Sequence, residues 1–351
     1  MVNQFSFQKE MLYYHIIPLS FIDEISVMMK RKGHLPKIIA GIAMIVGVNS
    51  ASQADVVTSI KPLGFIAAAI AQGVTPVKVV LPDGASEHDY ALRPSDVRLI
   101  QKADLLVWVG PEMESFITRS ASQLPINKNL ELTALPAIHS HLVGEIEDDH
   151  DHDLSDRDTL SSSNSTDREQ SDSHSHQGTY NMHIWLSPEM ALLSATAIHD
   201  RLVQSMPAEK AKLDRNLSQF TVNLEHADKE IRQQLMTVKD KRYYVFHDAY
   251  TYFEQHYGLS PLGYFTVNPE IQPGAQKLHE IRTQLTEHNA QCVFAEPQFR
   301  PAVIDAVSRG TQVKKGTLDP LGTNISLSQD SYVKFLLQLS SQYLSCLKPM
   351  N

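Results

Sequence analysis

The sequence predicts an α/β fold of two lobes, each a mostly parallel four-stranded sheet with flanking helices, joined by one long rigid helix. Three observations carry this. Short apolar runs alternate with amphipathic ones in the first half of the chain, the alternation resumes in the second half, and one long apolar stripe at helical spacing separates the two. Strands that alternate with helices build parallel sheets, because each parallel pair needs a crossover connection. With 351 residues, 42% of them hydrophobic, the chain has the length of about two domains and enough apolar mass to fill them. Lys and Arg number 31 against 40 Asp and Glu, and no basic stripe occurs, so nucleic acid is not an expected partner.

Residues 1–54 read as an over-extended N-terminus plus a signal peptide. Lys30, Arg31, Lys32 and Lys37 precede an eleven-residue apolar run, Ile38 to Val48, and small residues follow. Basic, apolar and small-residue regions in that order mark an export signal, with cleavage after Ala54 and Ser52 at the −3 position. A spanning helix needs about 20 apolar residues, so the mature chain is not expected to span a membrane; an uncut short anchor is the alternative. Met28 or Met29 is a more natural start than Met1.

Residues 55–207 form the first lobe. Pro76 to Leu81, Leu105 to Val109 and Leu130 to Leu132 read as strands, and Pro94 to Lys102 and Pro111 to Ser122 as helices. Within this lobe, residues 139–178 differ in kind. His139, His141, His150, His152, His174 and His176 form three His-x-His pairs among Ser, Asp and Glu with few apolar residues, so the segment cannot support a core. Eleven acidic residues against two Arg between Glu145 and Asp172 give a local charge of −9, which equals the formal charge of the whole chain. Imidazole and carboxylate together suit borderline divalent ions, and the segment reads as a disordered loop that collects metal weakly. A solvated acidic insertion with incidental histidines is the plainer reading.

The stripe lies in residues 208–238. Leu213, Leu217, Phe220, Leu224, Ala227, Ile231 and Leu235 recur at steps of three and four with no internal Gly or Pro, which predicts one linker helix roughly 45 Å long. Two helices with a break are the alternative. Residues 239–351 form the second lobe, with strands at Arg242 to Phe246, Leu262 to Val267, Gln291 to Glu296 and Val313 to Leu318, and helices at Gly274 to Glu287 and Pro301 to Ser308. Cys292 and Cys346 are the only two cysteines; export permits a disulfide between them, and two buried thiols are the other possibility.

Ligands of open α/β sheets gather at the carboxyl ends of strands, and three histidines fall there or close to it. His88 follows the strand ending near Leu81, with Gly84 allowing a sharp turn; His183 precedes a helix beginning near Pro188; His247 follows Tyr243 to Phe246. Any one of them alone is more readily a surface or core histidine; together they form a candidate metal site. Glu87 and Asp319 are candidates for a fourth ligand, although carboxylates beside Gly and Pro often stabilise turns instead. Glu296 ends a strand and is assigned a hydrogen-bonding role.

The segments Gly-Ala-Ser-Glu-His-Asp-Tyr-Ala-Leu-Arg-Pro-Ser-Asp-Val, Asn-Met-His-Ile-Trp-Leu-Ser-Pro, Val-Phe-His-Asp-Ala-Tyr, Phe-Ala-Glu-Pro-Gln-Phe and Gly-Thr-Leu-Asp-Pro-Leu-Gly resemble, in matching order, the ZnuA family of zinc-binding periplasmic components of ABC importers. The resemblance runs from about Asp55 to the C-terminus and includes the His-rich insertion and the cysteine pair. It implies metal held between the lobes by His88, His183 and His247, with Zn2+ as transported cargo and an inner-membrane permease with a separate ATPase subunit as partner. It leaves water, Glu87 or Asp319 for the fourth position. Manganese relatives usually carry a carboxylate where this chain has His247, and three nitrogens favour zinc.

The expected protein is therefore a monomeric periplasmic zinc-binding component and not an enzyme. No Gly-x-x-x-x-Gly-Lys-Ser/Thr loop and no His-Glu-x-x-His occur in the chain. A manganese-binding member of the same importer class, a zinc buffer acting through its His-rich loop and a secreted zinc hydrolase are the rival functions. Three imidazoles that must be neutral to bind predict affinity that falls below about pH 6.5.

Overall fold

The computed structural model describes residues 55–144, 180–266, 269–270, 273–299 and 302–348. The signal-peptide reading, the cleavage point and His150, His152, His174 and His176 lie outside the described residues. Among the described residues no helix is long and apolar enough to cross a membrane.

The first lobe contains β1 (Val56–Thr58), α1 (Lys61–Ile70), β2 (Val77–Val79), α2 (Pro94–Gln101), β3 (Leu105–Trp108), α3 (Ser115–Ala121), β4 (Asn129–Glu131), α4 (Pro136–His139) and α5 (Pro188–Ser205). The connector α6 (Lys210–Leu235) leads to β5 (Tyr243–His247), α7 (Thr251–Tyr257), β6 (Gly263–Thr266), α8 (Ala275–Glu287), β7 (Cys292–Ala295), α9 (Ala302–Ser308), β8 (Lys314–Thr317) and α10 (Ser331–Leu347). Among the described residues the strands of both sheets pair in parallel, in the orders β2-β1-β3-β4 and β6-β5-β7-β8. The two lobes thus repeat one topology, and in each the strand order reverses beside the first strand. Such reversals open a crevice at the carboxyl ends of the strands, and β1 and β5 lead into those crevices.

The central strands read as unbroken apolar runs because both faces are covered; every residue of β3 and β5 is buried. β1 is central too, but at three residues it is too short to stand out as a run. α1 carries Pro62 in its first turn, where a missing N–H costs nothing, and all its residues except Lys61 are buried. α5 starts at Pro188 behind Ser187, whose hydroxyl accepts from the Met190 N–H at 3.2 Å.

The connector begins with a short 3-10 turn, Pro207–Glu209, before its 26 α-helical residues, which span roughly 39 Å. Its buried stripe matches the predicted one with a single exchange: Asn216 is buried where Leu217 is half-buried. Asn216 Nδ2 donates to the Ile70 and Gln72 carbonyls at 2.8 and 3.0 Å, satisfying groups that the end of α1 leaves free. α6 packs against α1, α5 and α10. Because α10 also touches α1 and β8, the main hydrophobic core runs from Val56 to Leu347 without dividing between the lobes. A large apolar contact of this kind opposes hinge motion. Smaller clusters cover the outer faces of the two sheets. Cys292 on β7 and Cys346 on α10 form a disulfide, with Cα atoms 6.1 Å apart, as the export reading allows.

Candidate metal centre

The crevices of the two sheets face one another, and four side chains meet there. Glu87 and His88 come from the loop after β2, where Gly84 adopts φ +82° in open space, a conformation few other residues take easily. His183 precedes the 3-10 turn Ile184–Leu186, and His247 is the last residue of β5. One ligand atom from each of Glu87, His88, His183 and His247 lies within 4.8 Å of the others. The three imidazole centroids are 5.0 to 5.3 Å apart, a nearly equilateral array.

Buried polar atoms normally have partners. Here Glu87 Oε1 and Oε2 and His88 Nε2 are buried without a hydrogen-bond partner among the described residues. The donor set fits zinc: tetrahedral ligation by imidazole and carboxylate at 2.0–2.2 Å sets neighbouring ligand atoms roughly 3.3 Å apart, so a modest contraction closes the cage. Trp185 lies against the His183 ring at 5.1 Å, and Phe299 against His247 at 6.1 Å. These rings keep the walls dry.

The two most deeply buried histidines are held from behind. His247 Nδ1 lies 2.7 Å from Glu296 Oε1, and His183 Nδ1 lies 2.9 Å from Asn181 Oδ1. Burial, aided by the neighbouring His247 charge, pushes His88 down to about 3 and His183 well below the ordinary imidazole range. Burial works the same way on His247, but the Glu296 carboxylate outweighs it and His247 ends above its usual value. Glu87 is raised to about 7, chiefly by burial, with Glu296 and Asp319 adding repulsion.

Asp319 lies outside this group. Its Oδ1 accepts from the Leu321 and Gly322 N–H groups at 3.1 Å and from Gln298 Nε2 at 3.2 Å, while Oδ2 accepts from the Thr323 N–H at 2.7 Å. The carboxylate is consumed in shaping its own turn. That turn needs Gly322, at φ +62°, since a Cβ there would come within 2.8 Å of Phe65 and 2.9 Å of Phe335. Trp185 Nε1 donates to the Pro320 carbonyl at 2.8 Å, so the turn braces the wall beside His183. Glu296 takes the expected hydrogen-bonding role. His139 rests against Tyr180, and His141 Nε2 pairs with Glu189 at 3.3 Å; neither belongs to the group. Asn181 went unnoticed in the sequence, although its place two residues before His183 was the available signal.

A family model described as "Zinc-uptake complex component A periplasmic" matches residues 56–346. The chain belongs to the ZnuA family. It is 57% identical over 297 residues to the high-affinity zinc uptake system protein ZnuA of Yersinia pestis, covering 85% of this chain and 92% of that one. With the protein of the same name from Haemophilus ducreyi it shares 52% over 311 residues, covering 89% and 98%. A crystal structure of ZnuA superposes with a TM-score of 0.68 at 20% identity, over 84% of this chain and all of the other. At that identity the superposition speaks for the fold, while the ZnuA relatives of higher identity carry the family assignment.

Proposed function

We propose that this protein captures Zn2+ between its lobes in the periplasm and delivers it to the inner-membrane permease of an ABC importer, whose separate ATPase subunit drives transport. The observation that carries the reading is the cage of Glu87, His88, His183 and His247 with its unpartnered buried lone pairs. Glu87 is the fourth ligand. One oxygen and three nitrogens suit zinc better than manganese, which prefers more oxygens. The protein is a carrier and not a hydrolase: four protein ligands complete the tetrahedron, whereas catalytic zinc keeps a position open for water. The mature chain begins after Ala54 and works as a monomer, with lobes 55–207 and 239–351 linked by 208–238.

The test is a calorimetric titration of metal-free mature protein lacking residues 146–178, first with zinc and then with manganese. This deletion spares Leu142 and Val143, which pack on the core. One tight zinc equivalent, poorly matched by manganese and weakened by His247→Ala, is the expected result. Loss of the tight equivalent on deletion would move the function to the insertion and make the protein a buffer. Preferential manganese binding would keep the importer and change its cargo.

A further inference from the structure

The insertion after Gly144 leaves and rejoins the first lobe on two stems, and both are bonded to the second lobe at the metal cage. The stems pair through the Asn181 N–H and the Val143 carbonyl at 2.9 Å, beside a bridge between Gly144 and Tyr180. Tyr252, on α7, serves both: its hydroxyl accepts from the Val143 N–H at 3.1 Å and donates to the Asn181 carbonyl at 2.6 Å. The Asn181 side chain then reaches the cage. Nδ2 donates to the carbonyl of Asp248, the residue after His247, at 2.7 Å, and Oδ1 accepts from the His183 N–H at 3.1 Å.

Those two backbone groups have no tautomers, and together they fix which way the Asn181 amide points. A carbonyl can only accept and a peptide N–H can only donate, so Oδ1 must face His183. Oδ1 also lies 2.9 Å from His183 Nδ1, and an amide oxygen cannot donate, so Nδ1 carries the hydrogen. His183 Nε2 is thereby left as a lone pair, and it points at His247 Nε2, 3.1 Å away.

We infer that Asn181 is a positioning residue that holds His183 in its metal-binding Nδ1–H tautomer and, with Tyr252, clasps both stems of the insertion to the second lobe. The inference rests on the zinc reading above. Partners of this kind behind metal-binding histidines are commonly worth 10–100-fold in affinity.

The test uses the mature chain with its insertion and zinc as the only added metal. Dissociation constants come from competition with a chelator, and the His183 tautomer from imidazole 15N shifts of the metal-free protein. His183 of the wild type is expected as Nδ1–H; a majority of Nε2–H overturns the inference without any variant. Asn181→Leu is expected to weaken zinc about 10–100-fold and to mix the tautomers. Asn181→Asp, which keeps the acceptor and loses the donor to Asp248, is expected to restore Nδ1–H. Tyr252→Phe is expected to leave the tautomer alone and to speed amide exchange at Val143; unchanged exchange removes the clasp. Wild-type affinity and a single tautomer in Asn181→Leu overturn the positioning role. His88→Ala separates the two readings: if it binds zinc as the wild type does, the cage itself is wrong, and if it is weakened while Asn181→Leu is not, only Asn181's role fails.

Discussion

Acidification should weaken zinc binding by displacing about two protons per ion, where three ordinary imidazoles would displace about three. His183 Nε2 and His247 Nε2 are 3.1 Å apart, within hydrogen-bonding distance in the metal-free protein. Nδ1 of His183 already donates to Asn181, so a hydrogen on that line comes from His247 Nε2, and the Glu296 carboxyl group against Nδ1 favours protonated His247 by raising it above its usual value. That proton occupies the place the metal takes. His88, pushed down to about 3, is neutral between pH 5 and 6, and His183, whose Nδ1 donates to Asn181 while its Nε2 faces His247, has no further proton to release. Glu87, raised to about 7, is protonated there and gives up the second proton on ligation. Each displaced proton costs about 1.4 kcal/mol of binding per pH unit. Affinity should therefore fall about 100-fold from pH 6 to pH 5, and the slope should flatten above pH 7 as Glu87 ionises. Calorimetry in buffers of different ionisation enthalpy counts the protons directly, and Glu87→Gln should reduce the count to about one. Release of three protons near pH 5.5 would instead mean that His88 and His183 titrate normally and that the count of two is wrong.

Glu254 is buried, accepts from the Tyr243 and Tyr343 hydroxyls at 2.8 and 2.9 Å, and is raised from 4.5 to about 7 by burial. A carboxyl raised on folding leaves stability intact below the unfolded value and erodes it as pH climbs toward the folded one, here by ~3 kcal/mol between 4.5 and 7. Glu254→Gln, whose amide oxygen can accept the same two bonds, should raise the melting temperature of metal-free protein at pH 8 and leave it nearly unchanged at pH 4.5; a pH-independent effect would count against this. The disulfide closes a loop across 54 positions, which in the chain-entropy account is worth about 4 kcal/mol. Paired Cys292→Ala and Cys346→Ala changes should lower the melting temperature by roughly 6 °C while zinc affinity stays within about threefold of the wild type. Asn216→Leu strips two carbonyls at the end of α1 of their donor and should cost ~2 kcal/mol in urea unfolding, again with zinc affinity kept; an unaffected midpoint would mean that water replaces the amide.

His88, His183 and His247 were legible in the sequence because each sits in a short segment whose local pattern places it at or near a strand end. The connector was legible because a repeat of three and four needs only its own residues, and the ZnuA-like motifs added the order in which these pieces assemble. The ends of α6 were not, since Pro207 allows a 3-10 turn that periodicity does not register. β1 escaped notice because three residues carry too little pattern, although the sheet is built around it.

Local sequence is enough to read the two α/β lobes, the long connector, three histidines and Glu87 as candidate ligands, and a cysteine pair suited to export. These follow from short-range rules of alternation, helical spacing and turn chemistry. Only the folded chain groups Glu87 with the three histidines while Asp319 bonds within its own turn, joins both lobes through one core, and sets Glu296 and Asn181 behind His247 and His183. Glu296 reaches His247 across 49 positions of chain because parallel order sets the end of β7 beside the end of β5. Asn181 reaches the residue after His247 across 67. Such neighbours are made by crossover connections and shared burial, and no local pattern in the chain records them.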